Sequence, residues 1–161
     1  MNDLIQLLVQ CLKDEAAHYR KLAVLADGQK DLLMAGKTDQ LPENVRLEEK
    51  EVFALNPLIG KRNDLLAQMA KGYRIKTLSL AEAIKRAPVE LVEELKSAVI
   101  ELVQSAKRLE ETNQTNEKLL KNALSYVNFT LKIIANGGKK KAFSPSVTLE
   151  EKTPSIINRI V

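Results

Sequence analysis

The chain has 161 residues, enough for one domain with a modest core. Charged residues make up 29% and aromatics only 4%, with no tryptophan, which argues against a sheet-based fold and for long helices. The formal charge of +4 is too small to imply a nucleic-acid partner by itself, and residues 136–161 carry a net +3 of it.

The opening stretch, "MNDLIQLLVQCLKDEAAH", has an acid at Asp3 and no basic lead, so it does not read as a signal peptide. No apolar run approaches the roughly 20 residues of a membrane span. A single cysteine, Cys11, leaves no internal disulfide and fits a reducing compartment, the cytoplasm. The triplets "NQT" and "NFT" fall inside a helical run and carry no glycosylation meaning there.

Helical periodicity dominates the chain. The first predicted helix places Leu4, Leu8, Cys11, Leu22, Leu25 and Leu32 on one seam, interrupted by Glu15, His18 and Gln29, and stops near Ala35 because Gly36 and the polar "KTDQ" follow. A second starts around Gln40, with Pro42 in its first turn. Its seam is Leu41, Val45, Val52, Leu55, Ile59, Leu66 and Met69, interrupted by Glu48 and Arg62. Pro57, helped by Gly60, is expected to bend it, and Gly72 to close it. "SLAE" at Ser79–Glu82 has capping-box spacing and opens a short helix that ends before Pro88.

The last predicted helix, Val89 to Ile134, would be roughly 70 Å long at 1.5 Å per residue. Its seam steps through Val92, Leu95, Val99, Leu102, Ala106 and Leu109, then resumes at Leu120, Ala123, Val127 and Ile134. Between the two runs the stepping lands on Asn113 and Asn116. A polar residue on such a seam costs stability but fixes register, because a misaligned neighbour leaves its amide unpaired. The pair is therefore read as setting helix alignment. The fold class is all-α: an elongated antiparallel bundle of three long helices plus one short one over residues 1–135. Residues 136–161 read as a flexible tail, since they hold two glycines, two prolines and "KKK" with no sustained period. The tail nevertheless ends in "SIINRIV", an apolar patch that suits docking on the bundle or on a partner.

Groups for catalysis are nearly absent. "EAAH" at Glu15–His18 has Glu-x-x-His spacing, but a di-iron site needs a second such motif and the chain has one histidine. Cys11 and His18 lie two turns, about 10 Å, apart, too far for nucleophile activation. "GKRN" at Gly60 lacks the strand and upstream glycine of a phosphate loop, and "GGKKK" reads as a solvated charge run. No catalytic residue, metal or cofactor is expected.

The segment "NQTNEKLLKNALSYVNFTL", Asn113 to Leu131, resembles the Asn-x-x-Asn-x-x-Leu-Leu signature in the last helix of the FlgN family of flagellar export chaperones. "LEEKEVFALNPLIGKRNDLL" is similar to that family's second helix, including the arginine at Arg62, and "KTLSLAEAI" to the segment ahead of the last helix. The resemblance implies a cytoplasmic binding protein that holds hook-associated proteins, keeps them from assembling early and helps deliver them to the flagellar type III export apparatus. It also implies a grip in the C-terminal portion. Partner-binding residues expected there are Leu119, Leu120, Leu124, Val127, Phe129, Leu131, Ile133 and Ile134 on the helix, and Phe143, Ile156, Ile157 and Ile160 in the tail. Arg62, Asn113 and Asn116 are assigned structural roles. The family often has a tyrosine followed by glycine soon after this helix; here Phe143 precedes "SPS".

The residues leave two other classes open. One is a structural coiled coil whose spare apolar face closes a homodimer. The other is a membrane or nucleic-acid adaptor acting through Lys139–Lys141, whose binding would collapse with modest salt.

Overall fold

The computed structural model describes residues 1–135, and all of its elements are helical. Helix α1 spans Asn2–Met34, α2 Leu41–Gly72, α3 Leu80–Arg86 and α4 Val89–Ala135, with one 3-10 turn at Thr38–Gln40 between α1 and α2. The three long helices run up, down and up. Successive ones are therefore antiparallel, while α1 and α4 lie side by side in parallel.

Local chemistry sets the boundaries. At the end of α1, Gly36 takes φ +69 and the chain closes a Schellman turn, with Lys37 N–H donating to the Leu32 carbonyl at 2.9 Å and Gly36 N–H to that of Leu33 at 3.2 Å. The end of α2 repeats this turn with Ile75 bonded to Ala70 and Arg74 to Lys71, but here Arg74, not a glycine, occupies the left-handed position at φ 57. Gly72, the expected close of this helix, is its last helical residue. Ser79 and Glu82 form the capping box that starts α3. Pro57 sits within a continuous α2.

Helix α1 is the centre. It packs against α4 on one side and α2 on the other, whereas α2 and α4 make little contact with each other. A helix covered on two sides needs a wide apolar arc, and α1 buries Ile5, Val9, Leu12, Ala16, Tyr19, Ala23 and Ala26 besides the predicted Leu8, Cys11 and Leu22. The same arrangement corrects the predicted seam of α2. Leu55 and Met69 are buried, as is Leu65, but Val45 and Val52 are exposed because α4 does not reach over them.

The α1–α4 register is written in charge. Lys13 pairs with Glu94 at 2.8 Å, Arg20 with Glu101, and Asp27 with Arg108 at 3.0 Å. Each pair is separated by 81 residues and the rungs are seven residues apart. Polarity reverses at the third rung. A one-heptad slip would set Arg20 against Arg108 in one direction, or Asp27 against Glu101 in the other.

Candidate partner-binding site

The register decides where α4 is left alone. With offsets of 87 and 90 at the last rung, Met34 at the end of α1 lies level with residues 121–124 of α4. The remaining residues of α4, about 11 to 14, run on for roughly 17–21 Å past the end of α1.

Asn116 marks the last buried rung. Its side chain is 2% exposed, and its Nδ2 donates to the Ala26 carbonyl at 2.8 Å and to Gln29 Oε1 at 3.0 Å. Asn113, one helical step earlier, is exposed at the edge of a groove shared with α2. The two seam asparagines thus have different environments: one is locked into α1, the other faces solvent.

Beyond Asn116 no apolar side chain of α4 is fully buried among the described residues. Leu120 is 44% exposed, Leu124 61%, Val127 50%, Leu131 57% and Ile134 71%. Their steps of four, three, four and three residues make a continuous stripe on one face. Leu119, Phe129 and Ile133 are half-buried on the flanks, and Tyr126, which the seam pattern does not single out, is exposed beside the stripe. Within this stretch Lys121 donates to Glu117 at 2.7 Å and Thr130 to the Tyr126 carbonyl at 2.9 Å. Phe143, Ile156, Ile157 and Ile160 lie outside the described residues.

The chemically suggestive groups elsewhere are absorbed by the α1–α2 interface. Glu15 and Arg62 form a buried ion pair at 3.0 Å. The Cys11 thiol donates to the Leu58 carbonyl at 3.3 Å; burial first, then the neighbouring Glu15 charge, pushes it up to about 11, which suppresses thiolate chemistry. His18 Nδ1 sits 2.7 Å from Glu51 Oε2. Among the described residues no group of three His, Cys, Asp or Glu is placed to hold a metal ion, and no helix is long and apolar enough to cross a membrane.

One surface escapes the periodicity argument. In the first half of α2, Val45, Leu47, Val52 and Phe53 are exposed, Phe53 at 81%. They fall on more than one face of the helix, a signal legible in the sequence, but seam spacing alone assigns Val45 and Val52 to the packed side.

The described residues therefore form an all-helical scaffold whose last helix carries an exposed apolar stripe at its end. The sequence model of the FlgN protein family matches residues 1–149, and the chain belongs to that family, known for flagellar export chaperones. No curated protein and no solved structure matches the chain.

Proposed function

We propose that this chain is a cytoplasmic type III export chaperone for flagellar hook-associated proteins, which it holds unassembled and helps pass to components of the export apparatus. The observation that carries this reading is the projecting end of α4, apolar along a full stripe and uncovered by its own bundle. A partner's assembly helix laid along Leu120, Leu124, Val127, Leu131 and Ile134 would bury what α1 leaves bare, in the helix-on-helix mode. The family membership supports the flagellar setting.

Magnitudes bear on the tail. Burying a large aliphatic side chain fully is worth about 1.5–3 kcal/mol, and these five are already partly covered by their own helix, so the stripe supplies roughly 5 kcal/mol gross. Association costs about 4–15 kcal/mol in lost freedom. The stripe alone is therefore a weak grip, and Phe143, Ile156, Ile157 and Ile160 are proposed to add to it when the partner is bound.

Co-purification with the hook-associated proteins of the same organism tests this, comparing the full chain with one truncated after Asn136. Capture by the full chain and weaker capture by the truncated one is the expected result. Capture of none of them by the full chain would overturn the assignment.

A further inference from the structure

Because α2 and α4 flank α1 without closing on each other, a groove runs between them. Its walls include Leu22 of α1, Glu48, Val52 and Leu55 of α2, and Leu109 and Asn113 of α4, around a cavity of about 250 Å³. A second hollow of about 360 Å³ opens along α2 and shares Glu48 and Val52 with the first. The floor is apolar. Within it the Glu48 Oε1 atom is buried and has no hydrogen-bond partner among the described residues. An unpaired buried carboxylate oxygen is costly, so it calls for a donor from outside the described chain. Desolvation also raises the Glu48 carboxyl above its ordinary range. Among the described residues the two hollows are lined by two carboxylates, Glu48 and Glu49, and by no lysine or arginine. The hollow between α1 and α2 is different, its charged lining being Arg20, Lys21 and Lys50 with one carboxylate, Glu51.

The chain itself carries a complementary segment. Residues 155–161, "SIINRIV", set Arg159 among Ile156, Ile157, Ile160 and Val161, and residues 136–161 together have a net charge of +3. Residues 150–161 lie beyond the span that the family model matches. Length permits the return. From Ala135 back to the level of Asn113 is about 33 Å along the helix axis, whereas the 20 residues from Ala135 to Ser155 can span up to about 65 Å.

We propose that residues 155–161 fold back into the α2–α4 groove of the same chain, with their isoleucines on Val52, Leu55 and Leu109 and Arg159 on the Glu48 carboxylate. The free protein then stores its own tail where it completes the third side of α1. Partner binding draws on the same segment, so capture and release of a partner compete with this internal contact. The inference concerns the chain without its partner, and its failure leaves the export reading standing.

Disulfide trapping in the full chain tests it. Val52→Cys with Ile157→Cys is compared with Lys107→Cys with Ile157→Cys, which reports on the exposed face of α4. The buried Cys11 thiol stays in place. Mixing with a heavier tagged copy separates bonds within a chain from bonds between chains. The expected result is bond formation within one chain at least tenfold faster for the Val52 pair. Glu48→Arg should slow it several-fold, and adding Arg159→Glu should restore it. Equal rates for the two pairs, bonds formed only between chains, or a rate indifferent to both charge changes would each overturn the proposal.

Discussion

Arg62 Nη1 donates to Glu15 Oε2 at 3.0 Å, and the two residues are 2% and 0% exposed at the centre of the α1–α2 interface. Burial raises the Glu15 carboxyl above its usual range, and the Arg62 charge opposes that rise. Removing the cation leaves the buried carboxylate with its burial opposed only by the weaker hydrogen bond from the Cys11 thiol. Arg62→Met should therefore cost about 3–5 kcal/mol, while the double change Glu15→Leu/Arg62→Met should recover most of it. Urea unfolding of the three proteins decides this. The pH dependence has a definite sign. A carboxyl whose folded pKa is raised favours folding below its unfolded pKa and loses that contribution as pH rises through the folded value. The penalty of Arg62→Met should accordingly be largest near neutrality, shrink as pH falls through the raised folded value, and be gone below the ordinary value of about 4.5.

Asn116 and Asn113 should separate cleanly. Asn116→Ala removes two donors' worth of bonding to Ala26 and Gln29 at a buried position and should cost about 1–3 kcal/mol. Asn113→Ala, at an exposed position, should stay within about 0.5 kcal/mol of the parent. Equal costs for both would show that the seam pattern, not the observed bonding, governs the pair.

This difference also marks how far the sequence could be read. Element ends were legible because their chemistry is local: Gly36 after α1, the Ser79–Glu82 box, and Pro88 ahead of α4. The all-helical bundle followed from periodicity. What periodicity could not convey is which helix sits in the middle. Once α1 is central, its second arc from Ile5 to Ala26 becomes core, and Val45 and Val52 of α2 become surface. Likewise, identical asparagines three residues apart diverge because Asn116 faces α1 at Ala26 and Gln29, whereas Asn113 faces the open groove beside α2. The uncovered apolar end of α4 was partly legible, since its leucines and isoleucines occupy more faces than one seam can bury.

The charged ladder between α1 and α4 makes a salt-sensitive prediction. Its groups are largely solvated, so each pair is worth about 0.2–1 kcal/mol. Glu101→Lys should destabilise by about that much at low salt, with the difference shrinking toward 1 M. At the third rung, burial raises the Asp27 carboxyl, but hydrogen bonds from Arg108 and Lys30 outweigh it and hold it below its usual range. Such a group stabilises the fold above its unfolded pKa and ceases to as pH falls. Asp27→Asn should cost about 0.5 kcal/mol at pH 7 and nothing in strong acid, by thermal unfolding across pH.

Arg74 holds a left-handed conformation at φ 57, where a side chain with a Cβ is disfavoured by about 1–2 kcal/mol. Arg74→Gly removes that strain while adding freedom to the unfolded chain. A net gain of about 0.5–1 kcal/mol is expected from the midpoint of thermal unfolding. A loss would mean that the arginine makes contacts worth more than the strain.

The most direct measurement of the central claim is calorimetric binding of a captured hook-associated protein to Leu124→Asp/Leu131→Asp. These side chains are 61% and 57% exposed on the projecting end of α4, so the double variant should unfold within about 1 kcal/mol of the parent. The account predicts unchanged helical content with affinity reduced at least a hundredfold. Unaltered affinity in a folded variant would contradict it and remove the end of α4 from the partner interface.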